Sequence, residues 1–75
     1  MQIFTIHVVE HDSSFAHFEK SADAERYMHM AMKFERDEGN EDWDISCALT
    51  SERLKANSWS DALAQLQFSY FKEDN

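Results

Sequence analysis

The chain has 75 residues, of which 15 are acidic and 7 are basic, so its net charge is −8 at pH 7. A domain of this size buries only about 60% of the surface that its unfolded chain exposes, so a deep substrate cavity would compete with a small core. The size therefore argues against an elaborate enzyme and favours a protein that works through its outer surface. The negative charge disfavours direct binding to nucleic acid or to an anionic membrane, and it favours a basic partner.

Cysteine usage and the N-terminal sequence predict the cellular compartment. The chain contains one cysteine, Cys47, whereas a secreted domain of this length would usually carry several disulfides. The first residues lack the basic stretch of a signal peptide, and Thr5 and His7 interrupt their apolar run. These features predict a protein of the reducing cytoplasm without a membrane span.

The N-terminal sequence predicts a β-hairpin. Residues 2 to 10 are rich in β-branched side chains, and after the polar sequence HDSS, residues 14 to 20 predict a second strand. One face of the first strand carries Phe4, Ile6 and Val8, and the other carries Ile3, Thr5, His7 and Val9. Because both faces include apolar side chains, we expect both to contact other parts of the protein.

The next segment predicts a helix over residues 22 to 38. Ser21 is a candidate N-cap, and Gly39 follows a last turn that contains Lys33 and Arg36. The side chains predicted to face the sheet are those of Ala24, Tyr27, Met28, Ala31 and Phe34. Met30 and Met32 widen the apolar surface beyond this stripe, so their exposure would indicate a subunit or partner contact.

The C-terminal half predicts one strand and one helix. Residues 42 to 50, DWDISCALT, alternate with period two and predict a strand whose buried face carries Trp43, Ile45, Cys47 and Leu49. Residues 51 to 60 fit either a fourth short strand or an irregular connection. Residues 61 to 72 predict a helix, because Ser58 or Ser60 can cap it and Asp61 suits its first turn. Strand pairing is the alternative, since apolar residues of this stretch also alternate with period two.

These elements predict one α+β domain that spans residues 1 to 75. Its elements follow the order ββαβ along the chain and form a small antiparallel sheet, to which residues 51 to 60 could add a fourth strand. The sheet is expected to be covered on one side by the long helix, and a C-terminal helix completes the domain. Such folds host many unrelated functions, so the architecture alone does not indicate one.

No motif in the chain predicts a reaction or a metal site. An EF-hand loop with Gly39 at its sixth position would place Phe34 first and Arg36 third, where oxygen ligands are needed. The four histidines form no helical HExxH pair, and a chain with one glycine has no nucleophile elbow or glycine-rich loop. We therefore predict a protein that is not an enzyme and that has no metal and no cofactor.

The most unusual stretch is the acidic segment, residues 34 to 44, in which one arginine, Arg36, accompanies six carboxylates. The carboxylates belong to Glu35, Asp37, Glu38, Glu41, Asp42 and Asp44. On the predicted strand, Asp42 and Asp44 would project from one face about 7 Å apart, in a row that resembles successive phosphates. We predict that this segment binds a basic surface of another protein, with Trp43 as a hydrophobic anchor if it is exposed.

In size and charge the chain resembles the small inhibitors that bacteriophages use against host nucleases and CRISPR complexes, although no motif is shared. The resemblance implies a stoichiometric blocker that occupies the nucleic-acid-binding surface of its target, with the acidic segment as its contact. The alternative is a small structural or regulatory homodimer that recognises a partner through its Met and aromatic side chains. In that case the acidity serves solubility alone.

Overall fold

A computed structural model of the chain describes the backbone of residues 1–73 and the side chains of residues 1–67. The elements are strands β1 (Gln2–His11) and β2 (Ser14–Phe18), helix α1 (Ser21–Asp37), a 3₁₀ turn (Trp43–Ile45), strand β3 (Cys47–Ala56) and helix α2 (Trp59–Glu73). The three strands form one antiparallel sheet in the order β2-β1-β3. The predicted α+β class is confirmed.

The hairpin of β1 and β2 closes through a two-residue turn. Asp12 and Ser13 both have positive φ, 51° and 65°, as a type I′ turn requires, and this turn matches the natural twist of a hairpin. His11 and Ser14 flank it as a directly opposed pair. Strand β2 ends at Phe18 rather than at the predicted residue 20, because the chain turns away there to begin α1 at Ser21.

One face of the sheet packs against α2 and forms the main core. Its buried cluster comprises Ile6, Val8, Ala56, Ala62 and Leu66, with Phe4, Leu54, Trp59 and Leu63 packed against it. Phe4 and Trp59 meet edge to face, with ring centroids 6.5 Å apart. The even-numbered side chains of β1 therefore pack against the C-terminal end of β3 and the first turns of α2.

The opposite face of the sheet packs against α1. Val9 and Ala24 are completely buried, and the rings of Phe18 and Tyr27 lie 5.3 Å apart. Residues Val9 and His11 of β1 point away from the α2 side because side chains alternate along a strand. The sheet is thus covered on both faces rather than on one, which explains why β1 carries apolar side chains on both.

Helix α1 is rotated relative to the predicted orientation. The side chains that are buried or half-buried belong to Asp23, Ala24, Met28, Ala31, Met32 and Glu35, whereas Tyr27 is 40% exposed and Phe34 is 58% exposed. The prediction that Phe34 faces the sheet was wrong, whereas Tyr27, although partly exposed, does contact the sheet through Phe18. Ser21 as N-cap was also wrong, since Lys20 occupies that position and no side chain caps the helix.

The last strand and helix differ from the prediction mainly in their start points. Residues 43–45 form the 3₁₀ turn, and β3 begins only at Cys47 and continues to Ala56. Residues 51–56 therefore extend β3 instead of forming a fourth strand. The terminal helix is confirmed as Trp59–Glu73. Ser58 caps it, since the Ser58 hydroxyl accepts a hydrogen bond from the Asp61 backbone N–H at 3.1 Å.

Candidate protein-binding surface

The acidic segment begins where α1 ends in a Schellman motif. The backbone N–H of Gly39 donates to the Arg36 carbonyl at 3.1 Å, and that of Asn40 donates to the Glu35 carbonyl at 3.0 Å. Gly39 has φ of 87°, a conformation that glycine adopts without the steric cost of a Cβ atom. The motif satisfies the last helix carbonyls and turns the chain sharply, so that the following residues lie beside the end of α1.

Local hydrogen bonds then set the shape of residues 40–46. The Asn40 side-chain oxygen accepts from the Asp42 backbone N–H at 2.9 Å, and the Ser46 hydroxyl donates to the Trp43 carbonyl at 2.7 Å. In the resulting 3₁₀ turn each residue advances by about 120°, so Asp42 and Asp44 do not share one face. The predicted strand was wrong over residues 42–46, and so was its row of carboxylates about 7 Å apart, whereas residues 47–50 are part of β3.

Glu35 differs from the other carboxylates of the segment because it contacts the fold. Its two oxygens accept hydrogen bonds from His11 Nε2 at 2.9 Å and from the Asn40 side-chain amide at 3.2 Å. The His11 bond, followed by the Asn40 bond, holds the pKa of Glu35 below its usual value. Glu35 thereby attaches the end of α1 to the end of β1, and it is the least accessible of the six carboxylates of the segment.

Arg36 and Trp43 contact each other. The guanidinium carbon of Arg36 lies 5.5 Å from the centre of the Trp43 ring, within cation–π range. Arg36 Nε also lies 3.8 Å from a carboxylate oxygen of Asp37. Trp43 packs against the protein's own arginine and is half-buried, so it does not meet the condition of exposure under which it was predicted to be an anchor.

The remaining carboxylates of the segment form an exposed acidic surface. They belong to Glu38, Glu41, Asp42 and Asp44, all of which are exposed. None of the ion pairs among the described residues involves them, and residues 37–52 contain no lysine or arginine. Their charge is therefore directed to solvent and is available to a cationic partner.

The hairpin adds two carboxylates to this end of the molecule that sequence reasoning missed. Glu10 and Asp12 are exposed and flank His11, whose ring is hydrogen-bonded to Glu35. The fold thus places the turn of the hairpin near the end of α1, although the two lie far apart in the sequence. Only the tertiary structure relates them, so no sequence signal could have identified them. We call Glu10, Asp12, Glu38, Glu41, Asp42 and Asp44 the acidic end.

Exposed apolar side chains border the acidic segment. Phe34 is 58% exposed and Ile45 is 76% exposed, at either limit of the segment, and Met30 is 66% exposed one turn before Phe34. Ile45 was expected on the buried face of a strand, and that expectation was wrong. Met30 is exposed, as expected of a side chain that contacts a subunit or partner, whereas Met32 is half-buried.

The histidines do not converge on a site in the part of the chain that the structure describes. His7 Nδ1 is hydrogen-bonded to the Ser51 hydroxyl at 2.7 Å. His17 lies opposite Val8 in the sheet, so it points to the other face from His7. Among the described residues, no group of three or more His, Cys, Asp or Glu side chains is arranged to hold a metal ion.

Within the described residues, neither helix combines the length and the apolar character needed to cross a lipid bilayer. No protein-family model matches the chain. Searches of curated proteins and of solved structures likewise returned no significant match. The function must therefore be inferred from the surface of this chain alone.

Proposed function

We propose that this chain is a non-enzymatic protein of the reducing cytoplasm that binds a basic surface of another protein through its acidic end. The observation that carries the proposal is the exposed group of Glu38, Glu41, Asp42 and Asp44 in a stretch that contains no lysine or arginine. A basic surface that normally holds nucleic acid is the best fit, because it is built to receive several negative charges at once. In that role the chain is a stoichiometric inhibitor.

The apolar neighbours give such a contact a physical basis beyond charge. Rim charges mainly raise the association rate, whereas buried hydrophobic anchors supply most of the lasting affinity. Ile45 and Phe34 offer exposed apolar area beside the carboxylates. They can serve as the hydrophobic anchors, a role predicted for Trp43 only if it were exposed.

Affinity capture from an extract of the native host tests the proposal with two matched variants. Glu38→Gln/Glu41→Gln/Asp44→Asn removes three exposed charges from the acidic end, and Glu19→Gln/Glu25→Gln/Glu52→Gln removes three exposed charges elsewhere. The first variant should lose most of the captured partner, and the second should retain it. Capture by the unaltered chain should also weaken as salt rises from about 50 to 500 mM. Equal binding by both variants at all salt concentrations would refute the proposal.

A second candidate function is partner recognition through the apolar side of α1, with acidity serving solubility. It is favoured by the exposure of Met30 and Phe34, which line a shallow groove on the outer face of α1 together with Lys33 and Asp37. Under this alternative Met30→Ser/Phe34→Ser abolishes capture, and the binding that it abolishes is insensitive to salt.

A further inference from the structure

Strand β1 is paired along its whole length on one side but only along half of it on the other. Residues 2–11 all face β3, whereas β2 covers only residues 7–11 of β1, from His7 opposite Phe18 to His11 opposite Ser14. After Phe18 the chain leaves the sheet to begin α1. Within the part of the chain that the structure describes, residues 2–6 therefore have no neighbouring strand on the β2 side. We call this stretch the open edge.

The geometry of the hairpin shows which backbone groups the open edge presents. The two residues that flank a two-residue turn form a hydrogen-bonded pair, and such pairs recur at every second residue of an antiparallel ladder. His11, Val9 and His7 therefore direct their N–H and C=O groups toward β2. By the same alternation, Thr5 and Ile3 direct theirs to the open edge. The hydrogen bonds of the described residues outside helices and sheet ladders do not involve these backbone groups.

The two outer edges of the sheet differ in how they are protected against pairing. The outer edge of β3 carries the charged residues Glu52, Arg53 and Lys55, and charged side chains are a common means of preventing edge-to-edge association. The open edge has the sequence QIFTI, without a charge, a proline or a glycine. Ile3, near the N-terminal end of the open edge, is 54% exposed. This stretch thus combines strong strand-forming residues with free backbone groups.

We propose that the open edge pairs with the same edge of a second copy of this chain, in antiparallel orientation about a two-fold axis at Phe4. Ile3 of one copy then lies opposite Thr5 of the other. These two symmetry-related pairs exchange four backbone hydrogen bonds, and the two Phe4 residues form the central non-hydrogen-bonded pair. The three-stranded sheets of the two copies join edge to edge into one continuous sheet.

The length of the open edge favours a second copy over an unrelated strand. β2 ends opposite His7 in each copy, so the space available is the stretch from residue 2 to residue 6, which is symmetric about Phe4. The same stretch of a second copy matches this space in length and leaves no backbone group of Ile3 or Thr5 unpaired in either chain.

Charge does not oppose this dimer, although each chain carries a net charge of −8. The acidic end lies beside His11, seven residues along β1 from Phe4. At the usual rise per residue the two acidic ends are about 45 Å apart in the dimer, which is several Debye lengths at physiological salt. The dimer therefore presents two acidic surfaces at its opposite ends.

The association state of the whole chain, measured by sedimentation over about 5 to 500 µM, tests the proposal. The mass should rise from 8.8 kDa toward twice that value. Thr5→Pro removes an outward N–H and should weaken the dimer by at least about tenfold. Arg53→Pro makes the matching change on the outer edge of β3, and it should leave the dimer intact. A constant mass of 8.8 kDa, or equal weakening by both prolines, would overturn the proposal.

Cross-linking tests the register even if the proline variants fold poorly. In a Cys47→Ala background, Phe4→Cys places two thiols in the central non-hydrogen-bonded pair, whose Cα separation of about 4.5 Å suits a disulfide. Mild oxidation should convert this variant to a covalent dimer much faster than Ile45→Cys, a control at a 76% exposed site away from the open edge. Equal rates would contradict the proposed register. Because these changes leave the acidic end unaltered, the dimer and the proposed function can fail independently.

Discussion

The two faces of the sheet differ in how completely their apolar side chains are buried. The α2 side contains five buried residues in one cluster, with an edge-to-face aromatic contact at its border. On the α1 side Val9 and Ala24 are completely buried, while Tyr27, Met30 and Phe34 remain exposed. The comparison indicates that the α2 side supplies most of the stability, and that the α1 side retains apolar surface available for contacts with other molecules.

The same substitution at two isoleucines of β1 tests this comparison and has the largest expected effect. Ile6 is fully buried on the α2 side, and Ile3 is 54% exposed on the other. Ile6→Ala should lower the free energy of unfolding by about 2–5 kcal/mol, because it removes buried methyl groups and leaves a cavity. Ile3→Ala should change it by less than about 0.5 kcal/mol.

Urea unfolding at low micromolar concentration, where the proposed dimer dissociates, measures both values. If the two substitutions lower the free energy of unfolding equally, the two faces do not differ in their contribution to stability. Monitoring far-UV circular dichroism and tryptophan fluorescence together verifies that the transition is two-state.

The starts of the two helices offer a second contrast. Ser58 caps α2 through the backbone N–H of Asp61, and the Asp61 carboxylate in turn accepts from the Asn57 N–H at 3.2 Å. At the start of α1, Ser21 lies inside the helix, and no side chain caps it. Ser58→Ala should therefore cost about 0.5–2 kcal/mol, whereas Ser21→Ala should be nearly neutral. A large loss at Ser21, measured by thermal unfolding, would show that the assignment of its role is incorrect.

Much of the fold could be predicted because its signals are local. The β-branched run of β1, the glycine after α1 and the serine before α2 each specify a nearby piece of backbone. Residues 43–45 were mispredicted because polar and apolar residues can alternate with period two both in a strand and in a turn. In the turn, local side-chain hydrogen bonds hold the backbone. Here Asn40 and Ser46 hydrogen-bond to the nearby backbone and compete with strand pairing.

The candidate site was only partly predictable, since its geometry depends on distant residues. The acidic composition of the segment is visible in the sequence, but the inward position of Glu35 requires His11 of another element. The orientation of α1 that brings Glu35 to His11 also exposes Phe34. Helical spacing alone identifies neighbouring apolar stripes without showing which of them faces the sheet.

The pH dependence of stability also distinguishes the two faces, and its effects are the smallest of those predicted. Burial lowers the pKa of His17 from its ordinary value of 6.5, and His17 lies on the α2 side, opposite Val8. The unfolded chain then binds a proton more readily than the folded one, so stability is full above pH 6.5 and falls as the pH decreases toward the lowered pKa. On the α1 side, the pKa of Glu35 is lowered from 4.5. Its contribution is therefore lost only as the pH falls below 4.5.

Urea unfolding at pH values of about 7.5, 5.5 and 3.5 separates these two windows. His17→Gln should reduce the loss of stability between the first two values, and Glu35→Gln should reduce the loss between the last two. Each effect should be smaller than that of Ser58→Ala, because both groups retain contact with solvent, which screens their interactions. If Glu35→Gln instead flattens the upper window, the loss of stability between about pH 7.5 and 5.5 does not come from His17 on the α2 side.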